Sequence, residues 1–329
     1  MPPTPSCLRD APPLLVQARQ HGIGDLHALA RTRTISPTHG QPSLSAIIDA
    51  DEPALLHNYW KPAARGQSWR SLAAMLDVGD TLDNVIHTTQ YHYIVPDARA
   101  ALDPLVRYHV PQRVLHNVSA VALLSEMAAL EEMAQPDDDA ADPLARRRFW
   151  REQGHRTVHF GGVPDALKEA LESEDESENS QLYASDDDEK RARQFMWLSS
   201  PSVRTHTHFD SDRNSFVQLL GTKRFFLWHP RQTPLLCPFP RLHPLWHKSR
   251  ADFEAPDLTI IPCANYSSSE ALTVDVGPGD VLYIPPFYWH TVETLTPSLS
   301  LSTISRWPAL YEHLNAIYRY DYLWDELKE

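Results

Sequence analysis

The sequence predicts a mainly β fold with helical additions (α+β), an antiparallel barrel or sandwich flanked by helices. Three observations carry this. From Gln194 onward the chain breaks into short aromatic and β-branched runs, QFMWL, NSFVQLL, KRFFLWH, LTVDV, VLYIP and LSLSTISRW. Turn signals separate them: Ser-Ser-Pro, Gly221-Thr222, His229-Pro230 and GPGD. No helix-length segment intervenes between most of them, which is the pattern of antiparallel strands rather than of βαβ units.

The elements follow in order. Residues 1–45 mix apolar patches with Pro, Ser and Thr, and read as an N-terminal extension with one helix near Leu14–Arg31. Helical spacing returns at Ser68–Met75 and at Leu115–Met133, the latter ended by Gln135-Pro136 and a run of aspartates. Between Glu172 and Glu189 stand nine carboxylates and no basic residue, so most of the net charge of −13 is local. Such a block reads as a solvated insert, and as a docking site for a basic partner only secondarily. The barrel is expected over 46–307, with this acidic insert at about 172–189. The last segment, 308–329, reads as a helix whose aromatic face packs on the barrel or on a second copy of the chain.

Composition narrows the function classes. The chain has 329 residues, 42% hydrophobic and 22% charged, which is globular rather than disordered. The acidic balance argues against a generic nucleic-acid or anionic-membrane surface. Only 11 glycines are present, and neither GxGxxG nor GxxxxGK[ST] occurs, which sets aside the commonest nucleotide folds. Cys7, Cys237 and Cys263 form no CxxC, so a zinc knuckle or disulfide scaffold is not expected, and a reducing compartment, cytoplasmic or nuclear, fits. No apolar run is long enough for a membrane span and no secretory leader is expected.

The chemistry gathers at Thr205-His206-Thr207-His208-Phe209-Asp210. Alternate residues of a strand share a face, so His206, His208 and Asp210 are expected to point one way. His-x-Asp supplies two ligands, and His290, 82 residues after His208 in GDVLYIPPFYWH, is the candidate for a third. Two imidazoles and one carboxylate leave the opposite face of a metal open, which suits non-haem Fe(II) binding a cosubstrate and dioxygen. A closed structural zinc site would use four protein ligands, usually with thiolates. The pairs His155/His159 and His243/His247 lack the glutamate of a HExxH motif and read as structural or surface residues. Asn214 follows His208 by six residues. Lys223 follows it by fifteen, just past a Gly-Thr turn, where a cation could hold a carboxylate.

THFDSDRNSFVQLLGTKRFFLWHP followed by GDVLYIPPFYWHTVETL resembles the JmjC, or cupin-like, Fe(II)- and 2-oxoglutarate-dependent hydroxylases over about Phe195–Trp307. The resemblance implies a double-stranded β-helix (jelly-roll, cupin-like). It implies His208, Asp210 and His290 as iron ligands, Lys223 as the partner of the far carboxylate of 2-oxoglutarate, and Thr205 as the hydroxyl beside it. Asn214 corresponds to a cosubstrate-pocket residue and Trp307 to an aromatic closing the last strand. His206 has no role in the family and is the one competitor for the metal. Ser305 stands where the family often has Asn, and Tyr183 is the candidate for an upstream hydroxyl. The segment LHPLWHKSRADF resembles the loop that borders the substrate groove. The activity implied is a 2-oxoglutarate-dependent dioxygenase using Fe(II) and dioxygen to hydroxylate a protein side chain. The alternatives are a tRNA-base hydroxylase of the wybutosine type, for which Arg146, Arg147, Arg148 and Arg151 form the only dense basic cluster, and a catalytically inactive cupin-like binding module. Histone demethylation ranks lower, since no Cys-rich reader module accompanies the barrel. A protein or peptide substrate, tRNA, and a homodimer through the C-terminal helices are the partners considered.

Overall fold

The structure is a computed structural model. It describes residues 31–34, 47, 52–61, 66–87, 114–133, 157–172, 192–239, 246–249 and 269–305. The strands are β1 (Arg31–Thr34), β2 (Ala54–Leu56), β3 (Thr81–Leu82), β4 (Val85–His87), β5 (Val114–Leu115), β6 (Val118–Ser119), β7 (Thr157–Gly161), β8 (Arg193–Ser199), β9 (Arg213–Leu220), β10 (Lys223–Trp228), β11 (Glu270–Val276), β12 (Val281–Ile284), β13 (Trp289–Thr294) and β14 (Ser298–Ser305). The helices are α1 (Trp69–Ala73), α2 (Ala120–Met133) and α3 (Asp165–Leu171), with a 3-10 helix at Pro230–Leu235. The expected N- and C-terminal helices, the acidic insert and Trp307 lie outside the described residues, apart from Arg31, which opens β1, and Glu172, which caps α3.

Eight strands form one antiparallel sheet in the order β2-β12-β9-β14-β8-β7-β4-β5. Four form a second, β1-β11-β10-β13, in which β1 pairs with β11 in parallel. Residues 203–208 extend the second sheet beside β13 through the bridges Arg204↔Glu293 and His208↔His290. From β8 onward the chain passes back and forth between the two sheets, the path of a jelly roll. Among the described residues the sheets face each other without closing into a barrel.

Alternation sorts the side chains into two cores. Phe216 of β9, Phe225 and Leu227 of β10, Val274 of β11, and Leu282 and Ile284 of β12 meet between the sheets. Val217, Val281, Leu299 and Leu301 turn the other way and pack on helix residues Leu72, Leu123, Leu124, Met127 and Leu167. The larger sheet is thus covered on both faces, by helices on the one and the second sheet on the other, and β9 and β12 carry apolar residues on each.

Two local features are set by residue type. The GPGD turn is held by Asp280, whose Oδ1 accepts from the Asn58 N–H (3.0 Å) and whose Oδ2 accepts from the Gly277 N–H (3.0 Å). Helix α2 begins at Ala120 rather than at Leu115 because Asn117 adopts φ 54° and Leu115 and Val118 enter strands. Ser119 Oγ then accepts from the Ala122 N–H (3.3 Å), a hydroxyl cap for a free helical donor.

Gly221 joins β9 to β10 with φ +70°, and a Cβ there would stand 1.9 Å from the Pro297 carbonyl oxygen. Gly221→Ala is therefore expected to lower unfolding free energy by at least about 2 kcal/mol in a denaturant titration. Gly162→Ala, with nothing within 4 Å of its Cβ position, is the control and should stay within about 0.5 kcal/mol.

Candidate metal centre

The site forms where the 203–208 segment runs beside β13. His208 and His290 exchange backbone hydrogen bonds, His290 N–H to the His208 carbonyl (2.7 Å) and His208 N–H to the His290 carbonyl (3.1 Å). The Phe287 N–H donates to the Asp210 carbonyl at 2.7 Å, fixing the next residues of both segments. Phe287 holds φ 64°, a left-handed conformation that non-glycine residues adopt at a cost.

The ligand atoms follow from this ladder. The His208 and His290 rings lie 4.2 Å apart between centroids. His290 Nε2 stands 3.8 Å from Asp210 Oδ2, and one donor atom from each of the three residues lies within 4.8 Å of the others. Each ring's other nitrogen is committed. His208 Nδ1 meets the His206 carbonyl at 2.6 Å and His290 Nδ1 meets the Tyr288 carbonyl at 3.0 Å. A carbonyl only accepts, so both Nδ1 atoms carry a proton, and in the neutral ring it is Nε2 that presents the lone pair. Burial, then the charges of His290 and Lys248, hold the His208 pKa well below its ordinary value, against the hydrogen bond to His206. His208 is therefore a neutral imidazole at neutral pH, the form that binds a metal.

His206 does not join them, and simple alternation is corrected here. Between the pairs Arg204↔Glu293 and His208↔His290 the first strand has three residues and its partner two. That extra residue is a β-bulge, which re-aims the side chain it carries. His206 is buried, with Nε2 donating to the Ser249 carbonyl at 2.6 Å. His247 is a half-buried neutral histidine, its pKa pushed down to about 4 chiefly by desolvation. His159 sits on strand β7 rather than a helix, with Nδ1 on the Asp83 carbonyl at 2.6 Å. His155 and His243 lie outside the described residues.

Lys223 lies between the sheets, 3% exposed, in register with Thr294 on one side and Val276 on the other. Its Nζ stands 5.4 Å from the Phe216 ring centroid and 5.8 Å from that of Trp197. No carboxylate among the described residues pairs with it, and burial pushes its pKa from 10.5 down to about 7. Leu227, two turns of the pleat along the same face, is in register with His290, so one face of β10 runs from the cation to the ligands. Thr205 faces Val292, whose N–H donates to its hydroxyl at 2.9 Å, leaving the hydroxyl proton to donate elsewhere. Asn214 Oδ1 accepts from Ser302 Oγ at 2.7 Å. Ser305 pairs with Arg213, one residue out of phase with the Ile304–Asn214 pair, and so stands on the face that Leu301 and Val217 turn to the helices. Tyr183 lies outside the described residues.

Three features of this region escape the sequence reading. Ser302, Ser300 and Ser298 line the inner face of β14, and the alternating LSLS of that strand is the signal for it. Tyr288 orients His290 through its carbonyl and donates its hydroxyl to Glu52 at 2.7 Å, a contact with no sequence signal. Cys237 is disulfide-bonded, with its partner outside the described residues, where no disulfide was expected.

Comparison with known proteins follows the same lines. The chain is 28% identical over 128 residues to the lysine-specific demethylase JMJ31 of Arabidopsis thaliana, covering 37% of this chain and 23% of that protein. It is 30% identical over 105 residues to the JmjC domain-containing protein D of Dictyostelium discoideum, 32% of this chain and 23% of that one. It is 33% identical over 106 residues to the HSPB1-associated protein 1 of Mus musculus, 31% of this chain and 21% of that one. The match thus spans less than a quarter of the length of each of these relatives. The model of the Cupin-like domain matches residues 109–313, more than half of the chain. That span holds β5 through β14 and all three candidate ligand residues, and the chain accordingly belongs to the cupin-like, JmjC-type family.

Proposed function

We propose that this protein is an Fe(II)- and 2-oxoglutarate-dependent dioxygenase that hydroxylates a protein side chain. One observation carries the reading: two imidazoles with bare Nε2 atoms and a carboxylate converge at one end of an interior whose wall also carries a buried, unpaired ammonium.

The donor set fits ferrous iron. Two imidazole nitrogens and one carboxylate oxygen make a facial triad with open positions, and among the described residues no thiolate joins the group to favour a closed zinc site. Bound there with 2-oxoglutarate and dioxygen, iron supplies the oxidising power that breaks an unactivated C–H bond, with succinate and carbon dioxide as the other products. The remaining work falls to the chain. The His206 and Tyr288 carbonyls fix the tautomer and orientation of the two rings. Lys223 receives the far carboxylate of the cosubstrate, and Thr205 has a hydroxyl proton to offer it. Phe216 and Trp197 exclude water around that ion pair, which strengthens it.

A protein substrate is supported by the relatives, two of which are named for the JmjC domain or for lysine demethylation and one for association with HSPB1. Hydroxylation is the common step, since oxidation of an N-methyl carbon also begins with it. The basic cluster Arg146–Arg151 considered for tRNA lies outside the described residues, and no observation favours that reading. An inactive scaffold is disfavoured by Lys223, because a buried cation without a counter-ion weakens a fold that has no use for it. No helix among the described residues is long and apolar enough to cross a membrane.

Two outcomes test the reading. His208→Ala, Asp210→Ala and His290→Ala should each abolish stoichiometric Fe(II) or Co(II) binding by anaerobic titration, whereas His206→Ala should retain it. Loss of metal in His206→Ala alone would reassign the ligand. Lys223→Met should raise the 2-oxoglutarate Kd about 10- to 100-fold, the worth of a charge-assisted hydrogen bond, with metal affinity little changed.

The pH dependence follows from the sign of the Lys223 shift. Its folded pKa, about 7, lies below its ordinary 10.5, so the empty protein is penalised for the charged form and gains stability as pH rises through 7. Cosubstrate binding needs the ammonium. Affinity for 2-oxoglutarate should therefore be greatest below pH 7 and fall by up to about tenfold per unit above it. Lys223→Met should also raise Tm at pH 6. A pH-independent Kd together with an unchanged Tm would place the cosubstrate anchor elsewhere.

A further inference from the structure

Lys248 is a second buried cation beside the site, and the ligand set and Lys223 leave it without a role. His208 pairs with His290 on one side and with Lys248 on the other. Residues directly opposite in antiparallel segments turn their side chains to the same face, with Cβ atoms about 5 Å apart. His290, His208 and Lys248 therefore form a row on the face that carries the ligand nitrogens. The backbone holds Lys248 in that row: the Phe239 N–H donates to its carbonyl (3.1 Å), and the next residue donates its N–H to Thr207 (3.0 Å). Lys248 is 8% exposed. The row also brings its ammonium near enough for its charge to act on His208 and for the Asp210 carboxylate to act on it.

A charge in that place sorts what can approach. A cationic side chain brought to the open face meets a like charge in a poorly solvated setting. A carboxylate meets an opposite one and gains a charge-assisted hydrogen bond. An ammonium has three donors, so a contact within the protein leaves others for a ligand. Lys223 cannot serve the same end, because its Nζ lies among Phe216 and Trp197, where the cosubstrate's far carboxylate is placed.

We propose that Lys248 determines substrate charge at this site, selecting an aspartate or glutamate side chain over a methylated lysine. The inference rests on the metal-centred reading given above. It separates the specificity of this chain from that named in the lysine-specific relative.

The test uses the full chain loaded with Co(II) and saturated with N-oxalylglycine, an unreactive 2-oxoglutarate analogue. Acetate, acetamide and tetramethylammonium are titrated in turn while the cobalt ligand-field band is followed. Wild-type protein should bind acetate at least about tenfold more tightly than acetamide, with no response to tetramethylammonium. Lys248→Met should reduce that preference to about twofold or less, and Lys248→Arg should keep it. Equal affinity for acetate and acetamide in the wild type overturns the assignment, even if the Met variant does not fold. So does a folded Met variant as acetate-selective as the wild type. A cobalt band that never forms removes the metal reading and this inference together, an outcome distinct from a band that forms and shows no charge preference.

Discussion

The site depends on one backbone contact, the pair of hydrogen bonds exchanged by His208 and His290. The two residues are 82 positions apart in the chain. The exchange sets their rings 4.2 Å apart, and it leaves each Nδ1 facing a carbonyl two residues back in its own chain. Ligand geometry is thus written into main-chain pairing rather than into side-chain packing. The tautomer is chosen before any metal arrives, and the neutral form of His208 is secured by burial. A site of this kind is preorganised, because the rings have little freedom left to lose on binding.

The jelly-roll path explains why the ligands can be so far apart in sequence. From β8 onward the chain passes between the two sheets, so strands distant along the chain become neighbours in one sheet. The interior then belongs to both sheets, with Phe216 and Leu282 from one and Phe225 and Val274 from the other. Lys223 enters this apolar space at the first position of β10, straight after the Gly221 turn. Burial of that amine without a carboxylate is a local conflict with stability, and such conflicts mark functional positions more often than structural ones.

Much of this was legible in the sequence. Short aromatic runs with turn residues between them foretold β8 through β12 and β14, and GPGD foretold the turn that Asp280 holds. His208, Asp210 and His290 were legible because residue type, spacing and the GDVLYIP context converge on them, and the three are brought together. The bulge at His206 was not, since it exists only when the 203–208 segment is laid against β13 and one strand proves a residue longer. The start of α2 was overcalled for a related reason. LHNVSAVALL has helical spacing throughout, yet Asn117 in the left-handed region and the β3–β6 pairing claim its first residues. Ser305 illustrates the limit of matching by position: its strand was foreseen, but the phase of that strand, set by the pairing of Ile304 with Asn214, decides which serines face inward.

The charges of the site complete the physical picture. Lys223 and Lys248 are both buried, and Lys248 stands in the row that holds His208 and His290. A divalent cation at the triad would add positive charge beside them, and bound anions would offset it. 2-Oxoglutarate brings two negative charges and can account for Lys223 and part of the metal. Lys248 is left on the other flank of His208, where the cosubstrate's far carboxylate does not reach if Lys223 holds it. On the roles proposed above, affinity for the cosubstrate rests on Lys223 and choice of substrate on Lys248, so the two have separate electrostatic origins and each can change without altering the ligand triad.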